Sequence, residues 1–183
     1  MDSTEFVIPD PPVRELISEA AIQQRVVEMA AQIDRDLAAV DRLVAIGVLK
    51  GAVFFLTDLL KHVRRPVEVD FLQASSYGDS TVPGEVQLTR DIGVPIRGAH
   101  VLVVEDIIDT GNTLSTILEH VAFRGAAAVH LCALLDKPSR REVEVEVHYR
   151  GFEIEDQFVV GYGLDFAERY RNLPYVGIYE GPT

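Results

Sequence analysis

Between Gly98 and Glu105 the chain reads Ala99–Val104, and apart from His100 its side chains form a continuous apolar run. A strand with one wet face alternates apolar and polar residues. A continuous run of this length suits a strand covered on both faces, which is the environment of a parallel sheet with crossover helices. Two more such runs, Leu43–Leu49 and Ala127–Leu135, lie on either side of it. Stretches with helical spacing separate them. Ser18 is placed to cap a helix in which Ile22, Val26, Met29, Ile33 and Leu37 recur every three or four residues. Ala52–His62 reads as a second helix, and Thr113–Arg124, with Leu114, Ile117, Leu118 and Val121 inward and Gly125 after it, as a third. Val67–Leu72 and Glu85–Thr89 read as strands around a polar loop, Gln73–Gly84. Strands and helices in this order predict an α/β fold, with a central, mainly parallel sheet flanked by helices.

The ends differ from this pattern. Residues 1–17 carry Pro9, Pro11 and Pro12 and read as extended. From about residue 141 short β-like runs follow, Val143–Tyr149, Phe158–Val160 and Tyr175–Tyr179, as an appended layer. Within the first, Glu142, Glu144 and Glu146 alternate with valines, which reads as a half-exposed strand with a solvated acidic stripe. No repeat or linker interrupts the 183 residues, so one domain is expected.

Charge bounds the partners. With 29 acidic and 17 basic side chains the formal net charge is −12, which argues against nucleic acid and anionic membranes as partners. The single cysteine, Cys132, cannot build a disulfide framework and reads as a buried small hydrophobe in a reducing compartment. No apolar run reaches the ~20 residues of a membrane span, and the N-terminus has no secretory pattern. A cytoplasmic location is expected. His62, His100, His120, His130 and His148 are scattered without metal-ligand spacing.

The segment VLVVEDIIDTGNT, residues 101–113, carries the chemistry. A buried strand ends in two carboxylates, Glu105 and Asp106. A turn with Asp109 follows, and Thr110-Gly111-Asn112-Thr113 opens a helix. Ligands of parallel α/β sheets bind beyond the carboxyl ends of the strands, and a helix N-terminus presents N–H groups and a positive dipole end to a phosphate. Adjacent carboxylates suit a hydrated divalent cation or ribose hydroxyls. Taken singly, Asp109 and Thr110 would serve as helix caps and Gly111 as a turn residue. Their combination in thirteen residues favours a phosphate cradle. No GxxxxGK[ST] string occurs, and GYG at 161–163 is not a GxGxxG fingerprint.

This segment resembles the phosphoribosyl-pyrophosphate motif of the type I phosphoribosyltransferases. Further segments resemble the hypoxanthine-guanine (6-oxopurine) members, bacterial short-chain type, across essentially the whole chain: VLKGA at 48–52, SSYGDS at 75–80, LLDKPSRR at 134–141 and FVVGYGLDFAERYRNLPYVG at 158–177. The resemblance implies the type I phosphoribosyltransferase fold, with a core at about 38–140 and a small hood from about 1–17 and 141–183. It implies purine salvage: transfer of the 5-phosphoribosyl group from phosphoribosyl pyrophosphate (PRPP) to N9 of hypoxanthine or guanine, giving IMP or GMP and pyrophosphate. Mg²⁺ is the implied cofactor, and a homodimer or homotetramer the implied assembly.

Residue by residue, the resemblance assigns the 5-phosphate to Asp109, Thr110, Gly111, Asn112 and Thr113, and the ribose hydroxyls, directly or through Mg²⁺, to Glu105 and Asp106. Where many relatives carry Lys, this chain has Asn112. Asp109 is the implied general base or acid at purine N7. Lys50, Gly51 and Arg171 are assigned to pyrophosphate, with a cis peptide common before the residue matching Lys50. Lys137 would bond the purine O6, Phe158 would stack on the ring, and the Val159 main chain would read its edge. Asp165 would bind a second Mg²⁺ at the base-and-metal segment, and Ser76 and Tyr77 would belong to a lid. Two other classes stay open on the sequence: an RNA-binding regulator on the same fold, and a phosphate-binding assembly domain without turnover. A xanthine- or pyrimidine-specific relative is the alternative within the enzymes.

Overall fold

Three buried strands organise the computed structural model, which describes residues 13–75 and 87–181. They are β2 (Leu43–Val48), β5 (His100–Ile108) and β6 (Ala128–Asp136), running parallel side by side. With β3 (Glu68–Ser75), β4 (Gln87–Arg90) and β7 (Tyr149–Glu153) they form a six-stranded sheet in the order β4-β3-β2-β5-β6-β7. Every neighbouring pair is parallel except β3–β4.

The side chains of these strands divide by parity, as strand geometry requires. Leu43, Ala45, Leu102, Val104, Cys132 and Leu134 join one core cluster, and Val44, Ile46, Val101, Val103, Leu131 and Ala133 the other. Helices α1 (Glu19–Asp36) and α2 (Val53–His62) cover the first face, and α3 (Asn112–Phe123) the second. Full burial of each Val or Leu is worth roughly 1.5–3 kcal/mol, so a strand covered on both faces is strongly fixed in register. In α1, Ser18 Oγ accepts from Ala21 N at 3.3 Å, and Ile22, Val26, Met29 and Ile33 are fully buried.

A second, antiparallel sheet joins β1 (Val13–Ile17), β9 (Val176–Tyr179) and β8 (Val159–Val160). The N- and C-terminal segments thus share one small layer, in which Val13, Val160, Leu173 and Tyr179 pack together.

Three differences from the sequence reading bear on function. First, β5 does not end at the Glu105–Asp106 pair but continues to Ile108, so both carboxylates lie within the strand rather than at its end. Second, the valine–glutamate alternation at 142–148 is not a strand. Parallel neighbours need a crossover, and this segment supplies it between β6 and β7. Val145 and Val147 lean on the α3-side core, while His148 N donates to the Leu131 carbonyl at 3.0 Å. Third, residues 149–153, expected in the appended layer, pair with β6 in the main sheet, so the tail crosses back into the core before β8.

Candidate active site

At the carboxyl end of β5, Asp109 and Thr110 lead into Gly111, which caps α3 at φ 88° with no side-chain capping bond to the helix. A Cβ at residue 111 would lie 2.3 Å from the Val143 carbonyl oxygen, so only glycine fits there. Thr110 O accepts from Glu142 N at 2.9 Å and Val143 N at 3.0 Å, which braces the turn from behind. The first-turn amides of α3 therefore face a hollow of about 220 Å³, lined by Val48, Glu105, Asp109, Thr110, Gly111 and Thr113 among others. A larger hollow, about 940 Å³, opens between α1 and α2 beside Asp34, Lys61 and Arg64, and holds none of the candidate residues. Asn112 Nδ2 donates to Glu142 Oε2 at 2.7 Å, so that glutamate is tied to the turn rather than merely solvated.

Glu105 and Asp106 are partly buried next to one another. Burial, followed by the neighbouring Asp106 charge, pushes the Glu105 carboxyl well above the ordinary carboxylate range. Asp106 reaches the loop after β2: a Cβ on Gly51 would fall 1.6 Å from Asp106 Oδ2. The Leu49–Lys50 peptide in that loop is cis.

The C-terminal segment closes on the same loop. A Cβ on Gly163 would lie 2.0 Å from the Gly51 carbonyl oxygen. Arg171 donates to the Gly163 carbonyl at 2.7 Å and pairs with Asp165 Oδ1 at 2.8 Å, while its Nε is buried without a hydrogen-bond partner among the described residues. Lys50, Gly51, Asp106, Asp165 and Arg171 are thereby gathered from three separated stretches.

On the other side, Lys137 follows β6 and is 6% exposed. Its amide donates to the Ile108 carbonyl at 2.9 Å, and its Nζ lies 3.6 Å from Asp156 Oδ1. Phe158 is 44% exposed, edge-on to Phe166 and Tyr179, and Val159 pairs with Ile178 in the small sheet. Ser76 and Tyr77 lie outside the described residues.

Several side chains that the sequence did not single out enter this region. Asp136, fully buried, is paired with Arg141, and with Arg150 at 2.8 Å. Arg140 reaches Asp109, and Glu168 reaches Lys50. Motif reading flags residues adjacent in sequence, and these partners lie 31 and 118 positions apart. Elsewhere, His100, His130 and His148 come together at the opposite end of β5 and β6, although nothing in their spacing marks them.

The phosphoribosyl transferase domain family model matches residues 13–167. The chain belongs to the phosphoribosyltransferase family. It is 48% identical to the hypoxanthine phosphoribosyltransferase of Haemophilus influenzae over 165 residues, covering 88% of this chain and 92% of that protein. Against the hypoxanthine-guanine phosphoribosyltransferase of Bacillus subtilis it is 49% identical, covering 89% and 91%. A crystal structure of a Bacillus anthracis hypoxanthine-guanine phosphoribosyltransferase superimposes with a TM-score of 0.86 at 47% identity, over 91% of this chain and 99% of that one. This phosphoribosyltransferase has the type I fold, and among its described residues no helix is long and apolar enough to cross a membrane.

Proposed function

We propose that this phosphoribosyltransferase is a purine-salvage enzyme that transfers the 5-phosphoribosyl group of PRPP to N9 of hypoxanthine, and of guanine, releasing IMP or GMP and pyrophosphate. The observation that carries the reading is the hollow beside the α3 N-terminus, lined by Gly111, Glu105 and Asp109. The nearly buried Lys137 stands at the same end of the neighbouring strand, its amide bonded to the Ile108 carbonyl. On this reading the Gly111 turn serves the 5-phosphate, Glu105 and Asp106 the ribose, and Lys137 the 6-oxo group. The named relatives act in the same substrate class.

The α3 amides and the Thr110 and Thr113 hydroxyls hold the 5-phosphate, with the helix dipole favouring its charge. Breaking the bond at ribose C1 develops oxocarbenium-like charge, so the leaving pyrophosphate must be stabilised. Arg171 supplies a guanidinium, and Lys50 a backbone contact and an ammonium charge. Asp109 manages the proton at purine N7, Lys137 donates to O6, Phe158 stacks on the ring and the Val159 main chain reads its edge. At the 6-position adenine presents an amino donor, which would face the Lys137 donor unsatisfied.

The donor chemistry fits Mg²⁺. Glu105, Asp106 and Asp165 are hard oxygen donors, and among the described residues no three His, Cys, Asp or Glu side chains form a closed metal cage. Mg²⁺ characteristically binds one or two carboxylates and completes its shell with water and substrate phosphates. Bound there, it would neutralise charge on PRPP and on the departing pyrophosphate. The missing Cβ at Gly51 leaves space that the Asp106 carboxylate fills, keeping that group at the mouth of the pyrophosphate loop.

Pyrophosphate release from PRPP and Mg²⁺, measured across hypoxanthine, guanine, xanthine and adenine, tests the proposal. Release with hypoxanthine and guanine and none with adenine is the expected result. No release with any 6-oxopurine overturns it.

A further inference from the structure

Glu168 carries no role in the reading above, yet it touches both cations that the reading gives to pyrophosphate. Lys50 Nζ lies 2.9 Å from Glu168 Oε2, and Arg171 NH2 lies 3.6 Å from the same oxygen. One carboxylate oxygen thus sits between two positive groups, one from the loop after β2 and one from the C-terminal segment. The hydrogen bond from Lys50, then its charge, holds the Glu168 carboxyl below the ordinary carboxylate range.

The two cations depend on Glu168 unequally. Arg171 is fixed separately, by the Gly163 carbonyl at 2.7 Å and by Asp165 at 2.8 Å. For Lys50, Glu168 is the one carboxylate in ion-pair range among the described residues. The turn that delivers Glu168 is unusual: Ala167, Glu168 and Tyr170 all have positive φ, at 50°, 63° and 74°. Glu168 N donates to Asp165 Oδ2 at 2.9 Å, which anchors the turn on a proposed metal-binding carboxylate. The Lys50 and Glu168 side chains are 54% and 66% exposed, so their pair adds little to folding stability. What it does is put an anion where a phosphate oxygen would otherwise bridge the same two cations.

We propose that Glu168 is an internal counter-anion to pyrophosphate. In the free enzyme it occupies the bridge between Lys50 and Arg171; pyrophosphate displaces it on binding, and the pair re-forms as pyrophosphate leaves. The exchange is entirely non-covalent. A carboxylate and a phosphate oxygen compete for the same charge-assisted donors, and the displaced carboxylate still repels the bound anion. Glu168 therefore weakens product retention, acting on pyrophosphate through the two cations. The inference rests on the assignment of Lys50 and Arg171 to pyrophosphate.

Calorimetric titration of pyrophosphate, in excess Mg²⁺, into the wild-type enzyme, Glu168→Gln and Arg171→Gln separates the two claims. Glu168→Gln is expected to bind pyrophosphate roughly two- to fivefold more tightly, the range an exposed ion pair spans. The gain should shrink as salt rises, and the KM for hypoxanthine should not move. Damage to the fold would loosen binding, so a tightening cannot come from a structural defect. Arg171→Gln is expected to bind more weakly than wild type. Unchanged or weaker binding by Glu168→Gln, with Arg171→Gln weakened, overturns the counter-anion role alone. Wild-type affinity in Arg171→Gln overturns the assignment beneath it.

Discussion

Arg140 Nε lies 3.1 Å from Asp109 Oδ1, while the adjacent Arg141 donates to the Asp109 main-chain carbonyl at 2.9 Å. Both arginines follow Lys137 by a single short turn, Pro138–Arg140. The residue proposed to manage the N7 proton and the residue proposed to meet O6 are therefore parts of one braced unit. Arg140 holds one Asp109 carboxylate oxygen, and the proposal gives the N7 proton to the other. Asp109→Asn keeps the shape and removes the basic oxygen. The expected outcome is a kcat loss of about 10²–10⁴-fold, with the dissociation constant for PRPP little changed, because the cradle works through α3 amides and hydroxyls. Steady-state kinetics beside a PRPP titration checks this, and wild-type turnover would sink the assignment.

Lys137 is nearly buried, and Asp156 at 3.6 Å gives it only a long ionic contact. An ammonium so placed gains most from a close acceptor, which the purine O6 would provide. Lys137→Ala should raise the KM for hypoxanthine roughly 10- to 100-fold, the worth of a hydrogen bond to a charged group, and leave the KM for PRPP near wild type. Equal losses for the two substrates would make Lys137 a structural residue, coupled to its buried neighbour Asp136.

The close approach of Gly163 to Gly51 makes a sharper test of how the pyrophosphate region is assembled. Gly163 has φ 104°, and a Cβ there would sit 2.0 Å from the Gly51 carbonyl oxygen. Gly163→Ala must therefore strain its own backbone and push the two loops apart. A stability loss of about 1–3 kcal/mol is expected from the backbone alone. The KM for PRPP should rise, and that for hypoxanthine should move less. Urea unfolding and a two-substrate kinetic series measure both parts. An alanine variant with wild-type stability and kinetics would mean the two loops are not interdependent.

Which features were legible in the sequence follows from whether they depend on local periodicity. The Ile22–Leu37 stripe and the Val101–Val104 run exist because buried faces need apolar side chains at fixed spacing, so their elements could be read directly. The turn at 109–113, to which the 5-phosphate is assigned by proposal, was legible because its strand end, glycine and helix start are contiguous in the chain. The Val143–Val147 alternation misled because a crossover lying on a sheet and a strand inside one both bury every second residue. The Lys50–Glu168 and Arg140–Asp109 pairs were invisible because chain crossings, not spacing, create them. Family resemblance located the two proposed pyrophosphate cations but said nothing of the carboxylate between them.

Those chain crossings also produce the histidine group that the sequence left scattered. His100 Nδ1 lies 3.1 Å from His130 Nε2, and the rings of His130 and His148 meet edge-on at 5.2 Å between centroids. Burial, followed by the nearby His148 and His100, holds His130 below the ordinary histidine value. The folded state therefore takes up a proton at His130 less readily than the unfolded chain does. Its contribution is fully favourable above the unfolded histidine value of about 6.5 and diminishes as pH falls below it, because the unfolded state then binds more protons. Urea unfolding between pH 8 and pH 5 should show stability falling on the acid side. His130→Gln keeps a polar side chain beside His100 without the titrating ring, and it should flatten that fall. An identical pH slope in wild type and variant would exclude His130 as its source.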